Sequence, residues 1–155
     1  RLEGLPGSVA YRREALLNVL GAGWDAVSAE PSAALWREVR DVTPFVGRAG
    51  TVWRVSVKPT DGPRLLEALG AEEALLDWGG GLVWLLMPEG QDGGEAAVRA
   101  ALRPLGGHAT LMRGAAELRS RIAVFQPEAP AVATLAAAIR REFDPNSIFN
   151  AGIMG

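Results

Sequence analysis

The order in which apolar periodicity changes between Thr51 and Arg113 restricts this chain to very few topologies. Val52, Arg54, Ser56 and Lys58 alternate with Trp53, Val55 and Val57, the period of a half-buried strand, and Pro59 ends it. Thr60, Asp61 and Pro63 start a helix that carries Leu65, Leu66 and Leu69, and Gly70 stops it. Two apolar runs follow, Ala74 to Trp78 and Leu82 to Met87, joined as a hairpin by Gly79-Gly80-Gly81. Ala96 to Leu105 reads as a helix with Val98, Leu102 and Leu105 on one face. Gly106-Gly107 terminates it, and His108 to Met112 forms a last strand. Strand, helix, strand, strand, helix, strand is the split βαβ, or ferredoxin-like, order. Right-handed crossovers then put both helices on one face of an antiparallel sheet. The expected class is α+β with a βαββαβ centre.

The flanks add an N-terminal strand-helix unit and a C-terminal helix. Arg1 to Leu5 reads as a short strand ending at Pro6-Gly7, with Ser8 as N-cap of a helix running to Leu20. Pro31 and Ser32 introduce a further helical stretch, Ala33 to Arg40. Val132, Leu135, Ala136, Ile139 and Phe143 make a helical stripe that ends at Asp144-Pro145. No internal repeat or low-complexity segment interrupts the 155 residues.

Composition removes several classes of chemistry. Sixteen Lys+Arg against 18 Asp+Glu leave a net charge of −2, without the clustered cationic excess of a phosphate-backbone binder, so no nucleic-acid partner is expected. With no Cys the chain has no disulfide, thiol nucleophile or iron–sulfur ligand of its own, and one His makes a structural zinc site unlikely to be built. No apolar run approaches the roughly 20 residues that span a bilayer, and there is no signal-peptide opening, so a soluble, cytoplasmic protein is expected. The chain begins on Arg1 rather than Met, which suggests an upstream part carrying much of the function.

Few residues can carry chemistry. His108 is the first candidate for proton transfer, because its ordinary pKa lies near neutrality; a hydrogen-bonded structural role at the start of a strand is the competing reading. Asp77 lies inside an apolar strand, where an unpaired buried carboxylate is costly, so it sits at the hairpin mouth, is paired, or is functional. Trp78 and Trp84 flank the triple glycine and offer a flat aromatic surface or, alternatively, core and interface anchors. Gly79-Gly80-Gly81 joins strand to strand and does not spell a phosphate loop, so it is a turn. Arg113, Arg119 and Arg121 have the chemistry to hold a carboxylate or simply to be solvated.

The closing segment FDPNSIFNAGIM, Phe143 to Met154, resembles the C-terminal signature of FAD-linked oxidases of the vanillyl-alcohol oxidase superfamily, with Ala151 where that family usually has Pro. Together with RLEG at Arg1, VWRVSVKPT at Val52, DWGGGLVWL at Asp77 and GGHATLMR at Gly106, the chain is similar along essentially its whole length to the glycolate oxidase flavin subunits of that family. The resemblance implies that residues 1–155 are a C-terminal cap, and that FAD is held mainly by an N-terminal domain absent from this chain. It implies oxidation of a small 2-hydroxy acid, glycolate to glyoxylate, in a complex with a second flavin subunit and an iron–sulfur subunit, with peripheral attachment to the inner membrane through those partners. Asp77, Trp78 and Trp84 would face substrate or flavin, His108 would act on the substrate, and Asn150 would reach the flavin edge. A ferredoxin-like regulatory module that binds a small ligand, and a non-catalytic scaffold domain, are the alternatives from other classes.

Overall fold

The computed structural model describes residues 1–71 and 73–149, which divide into two units, Arg1–Thr43 and a second beginning at Pro44. The first unit holds two helices, α1 (Pro6–Leu20) and α2 (Ala29–Asp41). Pro6 occupies the first turn of α1, where its fixed φ suits the helix and its missing N–H costs nothing, so the helix starts ahead of Ser8. The strand expected over Arg1–Leu5 does not form. Arg12 instead reaches back along the helix, and its guanidinium donates to the Glu3 carbonyl at 2.5 Å and the Ser8 carbonyl at 3.3 Å, so a strand partner for Glu3 is replaced by a side chain. The N-terminal unit is therefore helix-helix, not strand-helix. On α2, Arg37 pairs with Glu30 at 2.8 Å, and Val42 closes the helix in the left-handed region.

The second unit realises the periodicity of its sequence. Its elements are β1 (Thr51–Ser56), α3 (Gly62–Leu69), β2 (Ala74–Asp77), β3 (Leu82–Met87), α4 (Glu95–Leu102), β4 (His108–Arg113), α5 (Ala116–Arg119) and α6 (Pro130–Phe143). The four strands form one antiparallel sheet in the order β2-β3-β1-β4, the ferredoxin-like order, with α3 packed beside α4. Alternation sorts the strands into two faces. Trp53 and Val55, Val83 and Leu85, and Ala109 and Leu111 point to the helix side and are buried together with Leu65 of α3, Val98 and Leu102 of α4 and Leu118 of α5. The indole N–H of Trp53 donates to the Gly93 carbonyl at 2.8 Å, so the core's largest side chain leaves no buried donor unmatched.

Two features complete the sheet. At one end, the turns Pro59–Asp61 and Trp78–Gly80 meet backbone to backbone. A Cβ at Gly62 would collide with the Gly80 carbonyl, and a Cβ at Gly80, where φ is 101°, would collide with that of Pro59. The triple glycine is thus a turn, as expected, and also a site of close approach. At the outer edge of β4, Leu111 N–H donates to the Val124 carbonyl at 2.8 Å, which lays the segment beyond α5 along the strand. Arg99 of α4 holds that segment. Its guanidinium donates to the carbonyls of Ala109, Ala123 and Phe125, each at 2.8 Å, and to the Gln126 side chain at 2.5 Å. Burial pushes the Arg99 guanidinium below its usual pKa, opposed by Glu95.

Candidate functional site

The face of the sheet opposite α3 and α4 is built from the residues that alternate with the core. Register sets them in rows. Asp77 lies opposite Leu82, Leu82 opposite Ser56, and Ser56 opposite His108. In the next row on the same face, Leu75 lies opposite Trp84, Trp84 opposite Arg54, and Arg54 opposite Thr110. Directly opposed residues project to one side, so Asp77, Trp84 and His108, singled out in the sequence, share this face. The face is only partly open: Val52 and Leu82, which lie on it, are buried, Arg54, Ser56, Trp84 and Thr110 are half-buried, and His108 and Met112 are exposed.

Asp77 and His108 stand at opposite ends of their row, three strand spacings or about 14 Å apart, too far for a direct pair. Asp77 is at the hairpin mouth, and its carboxylate accepts the Trp78 N–H at 2.7 Å, capping the turn. The His108 side chain has no hydrogen-bond partner among the described residues, so it is neither oriented by a carboxylate nor tied down as a structural histidine. Trp78 adopts φ of 53°, a conformation that bulky side chains rarely take, and the residue is 59 % exposed. The Arg54 guanidinium lies 5.4 Å from the centre of that ring. Asn150 lies outside the described residues. The segment leading to it is folded by Asp144, a buried carboxylate whose two oxygens accept the N–H groups of Ile148 and Phe149, each at 2.9 Å.

The arginines considered for carboxylate binding are occupied elsewhere. Arg113 donates to the carbonyls of Phe45 at 2.6 Å and Arg48 at 2.8 Å, Arg119 to that of Leu111, and Arg121 to those of Glu117 and Gln91. Nothing in the sequence marks Arg54. An isolated charge in an alternating strand reads as solvent-facing, and only the register, which brings it between Trp84 and Thr110, gives it a setting. A cleft of about 320 Å³ on the α4 side is lined by Arg99, Arg103, Gly107 and Gln126 among others, but Arg99 spends its terminal donors on the β4 edge segment. Among the described residues no group of three or more His, Cys, Asp or Glu side chains is placed to hold a metal ion, and no helix is long and apolar enough to cross a membrane.

No family model matches the chain, and no solved structure matches it. The glycolate oxidase subunit GlcE of Escherichia coli is 31 % identical to it over 155 residues, which is 99 % of this chain and 37 % of GlcE. The chain thus spans little more than a third of the length of that relative. The resemblance read from five sequence segments extends over the whole chain, and what it identifies is similarity to a glycolate oxidase subunit.

Proposed function

We propose that residues 1–155 are the C-terminal, substrate-side cap of a longer FAD-dependent subunit of the glycolate oxidase type, which oxidises glycolate to glyoxylate. The observation that carries this reading is a sheet face left uncovered by α3 and α4 and lined by Arg54, Trp78, Trp84 and His108, in a chain similar throughout to a glycolate oxidase subunit. The donor set suits one wall of a flavin site and no more. Flat indoles and short polar side chains can border a planar ring, whereas the glycines join two strands and offer no helix N-terminus for a pyrophosphate. The rest of the subunit is therefore assigned the grip on FAD, and FAD supplies the two-electron acceptor.

In this reading the chain's own residues position, exclude water and move a proton. Trp78 and Trp84 form a dry aromatic border. His108, free of other partners, takes the hydroxyl proton of the 2-hydroxy acid or hydrogen-bonds its carboxylate. Asp77 holds the turn that presents Trp78, and Asn150 is the residue that the family resemblance assigns to the flavin edge. A second flavin subunit and an iron–sulfur subunit complete the complex, which is cytoplasmic and meets the inner membrane through those partners.

The test is the longer protein, purified with its partner subunits. A flavin absorption spectrum that persists on gel filtration, glycolate-dependent bleaching of it, and a ~100-fold loss of turnover in His108→Ala are expected. A longer protein without flavin overturns the cap. An interaction-only domain is the second reading, favoured by the exposed stripe Val132, Leu135, Ile139 and Phe143 on α6. It predicts a full-length protein that assembles with partners and never bleaches.

A further inference from the structure

Most arginines with a defined setting are satisfied within the chain. Arg37, Arg40, Arg48 and Arg64 pair with carboxylates, and Arg12, Arg99, Arg113, Arg119 and Arg121 donate to backbone carbonyls. Arg13, Arg54, Arg103 and Arg141 have neither kind of partner. Three of these are exposed, and Arg54 alone among them is half-buried. No carboxylate or carbonyl of the described residues reaches the Arg54 guanidinium, and five donors without an internal acceptor are suited to an anion supplied from outside.

Its surroundings are arranged around it. Trp84 and Thr110 flank Arg54 on the neighbouring strands, Ser56 follows it on the same face, and the ring of Trp78 lies 5.4 Å from the guanidinium carbon. Asp77, the carboxylate on this face, already accepts the Trp78 N–H. Trp78 meets the guanidinium from a left-handed backbone conformation, held by Asp77 in front and by the Gly81 N–H on its own carbonyl at 3.2 Å behind. Glycines occupy the next three positions and would adopt such a conformation without strain, yet the indole stands there.

We propose that Arg54, steadied by the face of Trp78 and with Thr110 opposite it on the neighbouring strand, is a binding site for the carboxylate of a small organic acid on the open part of the sheet face. The fork of a guanidinium matches a carboxylate in two parallel hydrogen bonds, and the indole fixes its plane. This deepens the cap reading by naming the group that selects an acid over a neutral alcohol, and it rests on that reading. Arg54 contacts the ligand, and Trp78 is a positioning residue.

The experiment uses the flavin-loaded longer protein with its partner subunits, and acetate, which carries the carboxylate but no oxidisable hydroxyl. Acetate is expected to perturb the flavin absorption of the wild type with a saturable dissociation constant. Arg54→Met should weaken that constant and raise the KM for glycolate by ~10- to 100-fold, while flavin content stays unchanged. Arg54→Lys, which keeps the charge without the fork, should fall between, and covers the event that Arg54→Met does not fold. Trp78→Gly should weaken acetate several-fold with an unmoved thermal midpoint. An unchanged acetate constant in flavin-replete Arg54→Met or Arg54→Lys overturns the carboxylate site and leaves the cap standing. A shift of flavin reduction potential with no change in acetate affinity also overturns it. A wild-type protein without flavin removes both.

Discussion

The two faces of the same four strands divide the labour of this domain. On one, Trp53, Val55, Val83, Leu85 and Leu111 are almost wholly withdrawn from water under α3 and α4. On the other, one residue along each strand, stand Arg54, Ser56, Trp84, Thr110 and His108, half-buried or exposed beside the buried Val52 and Leu82. The first face holds the fold together because burying apolar area dominates stability. The second is carried by it, so its side chains are chosen by what they meet and not by what they hold. Substitutions sharpen or break this division.

The largest effect is expected in the closed face. Trp53→Ala should cost about 4 kcal/mol in denaturant unfolding, through the lost ring, the cavity, and the platform beneath the Arg99 guanidinium 5.2 Å away. A cost under about 1 kcal/mol would mean that the helix side is not the core. Gly80→Ala comes next, about 2 kcal/mol, because the added methyl meets the Pro59 carbonyl at a positive φ; thermal unfolding reads it. Asp92 is smaller. It accepts the N–H groups of Ala96 and Gly94, each at 3.0 Å, and these hold its carboxyl below the ordinary value. A depressed folded pKa contributes stability above the unfolded value near 3.9, and that contribution fades as pH falls through the folded one. Asp92→Ala should therefore cost ~1 kcal/mol at neutral pH and flatten the acid limb of a stability–pH curve. Arg54→Met and His108→Ala, on the open face, should move stability by less than about 0.5 kcal/mol. A large loss at either would make the open face structural.

How far the sequence carried these conclusions depends on what holds each element. Elements held by their own periodicity were legible: the alternation of Val52 to Val57, the punctuation at Pro59, Gly70 and Gly106, and the glycine turn all correspond to observed boundaries within a few residues. Elements held by a distant side chain were not. The run from Ile122 to Gln126 has no strand signature and lies beside β4 because Arg99, on a helix more than twenty residues earlier, collects its carbonyls. Arg1–Leu5 looked like a strand because nothing local shows that Arg12 takes the Glu3 carbonyl. The site divides in the same way. His108, Asp77 and Trp84 stand out by residue type, but their common face and the separation of about three strand spacings between the first two follow from register, which no local pattern encodes. Arg54 was invisible because its interest lies in what it lacks.

The hold of Arg99 on the β4 flank has a dynamic consequence. The Arg99 guanidinium collects most of the side-chain hydrogen bonds on the run from Ala123 to Gln126, which the Leu111 amide, the Ala109 amide and the packing of Val124 also hold. Its removal should therefore loosen that run while the four strands stay paired. The Leu111 amide, which gives its proton to Val124, is the sentinel. In deuterated solvent it should trade that proton earlier once Arg99 is replaced, while the β1 amides bonded to β3 keep theirs, so that the strip behaves as a shutter that has lost its main latch.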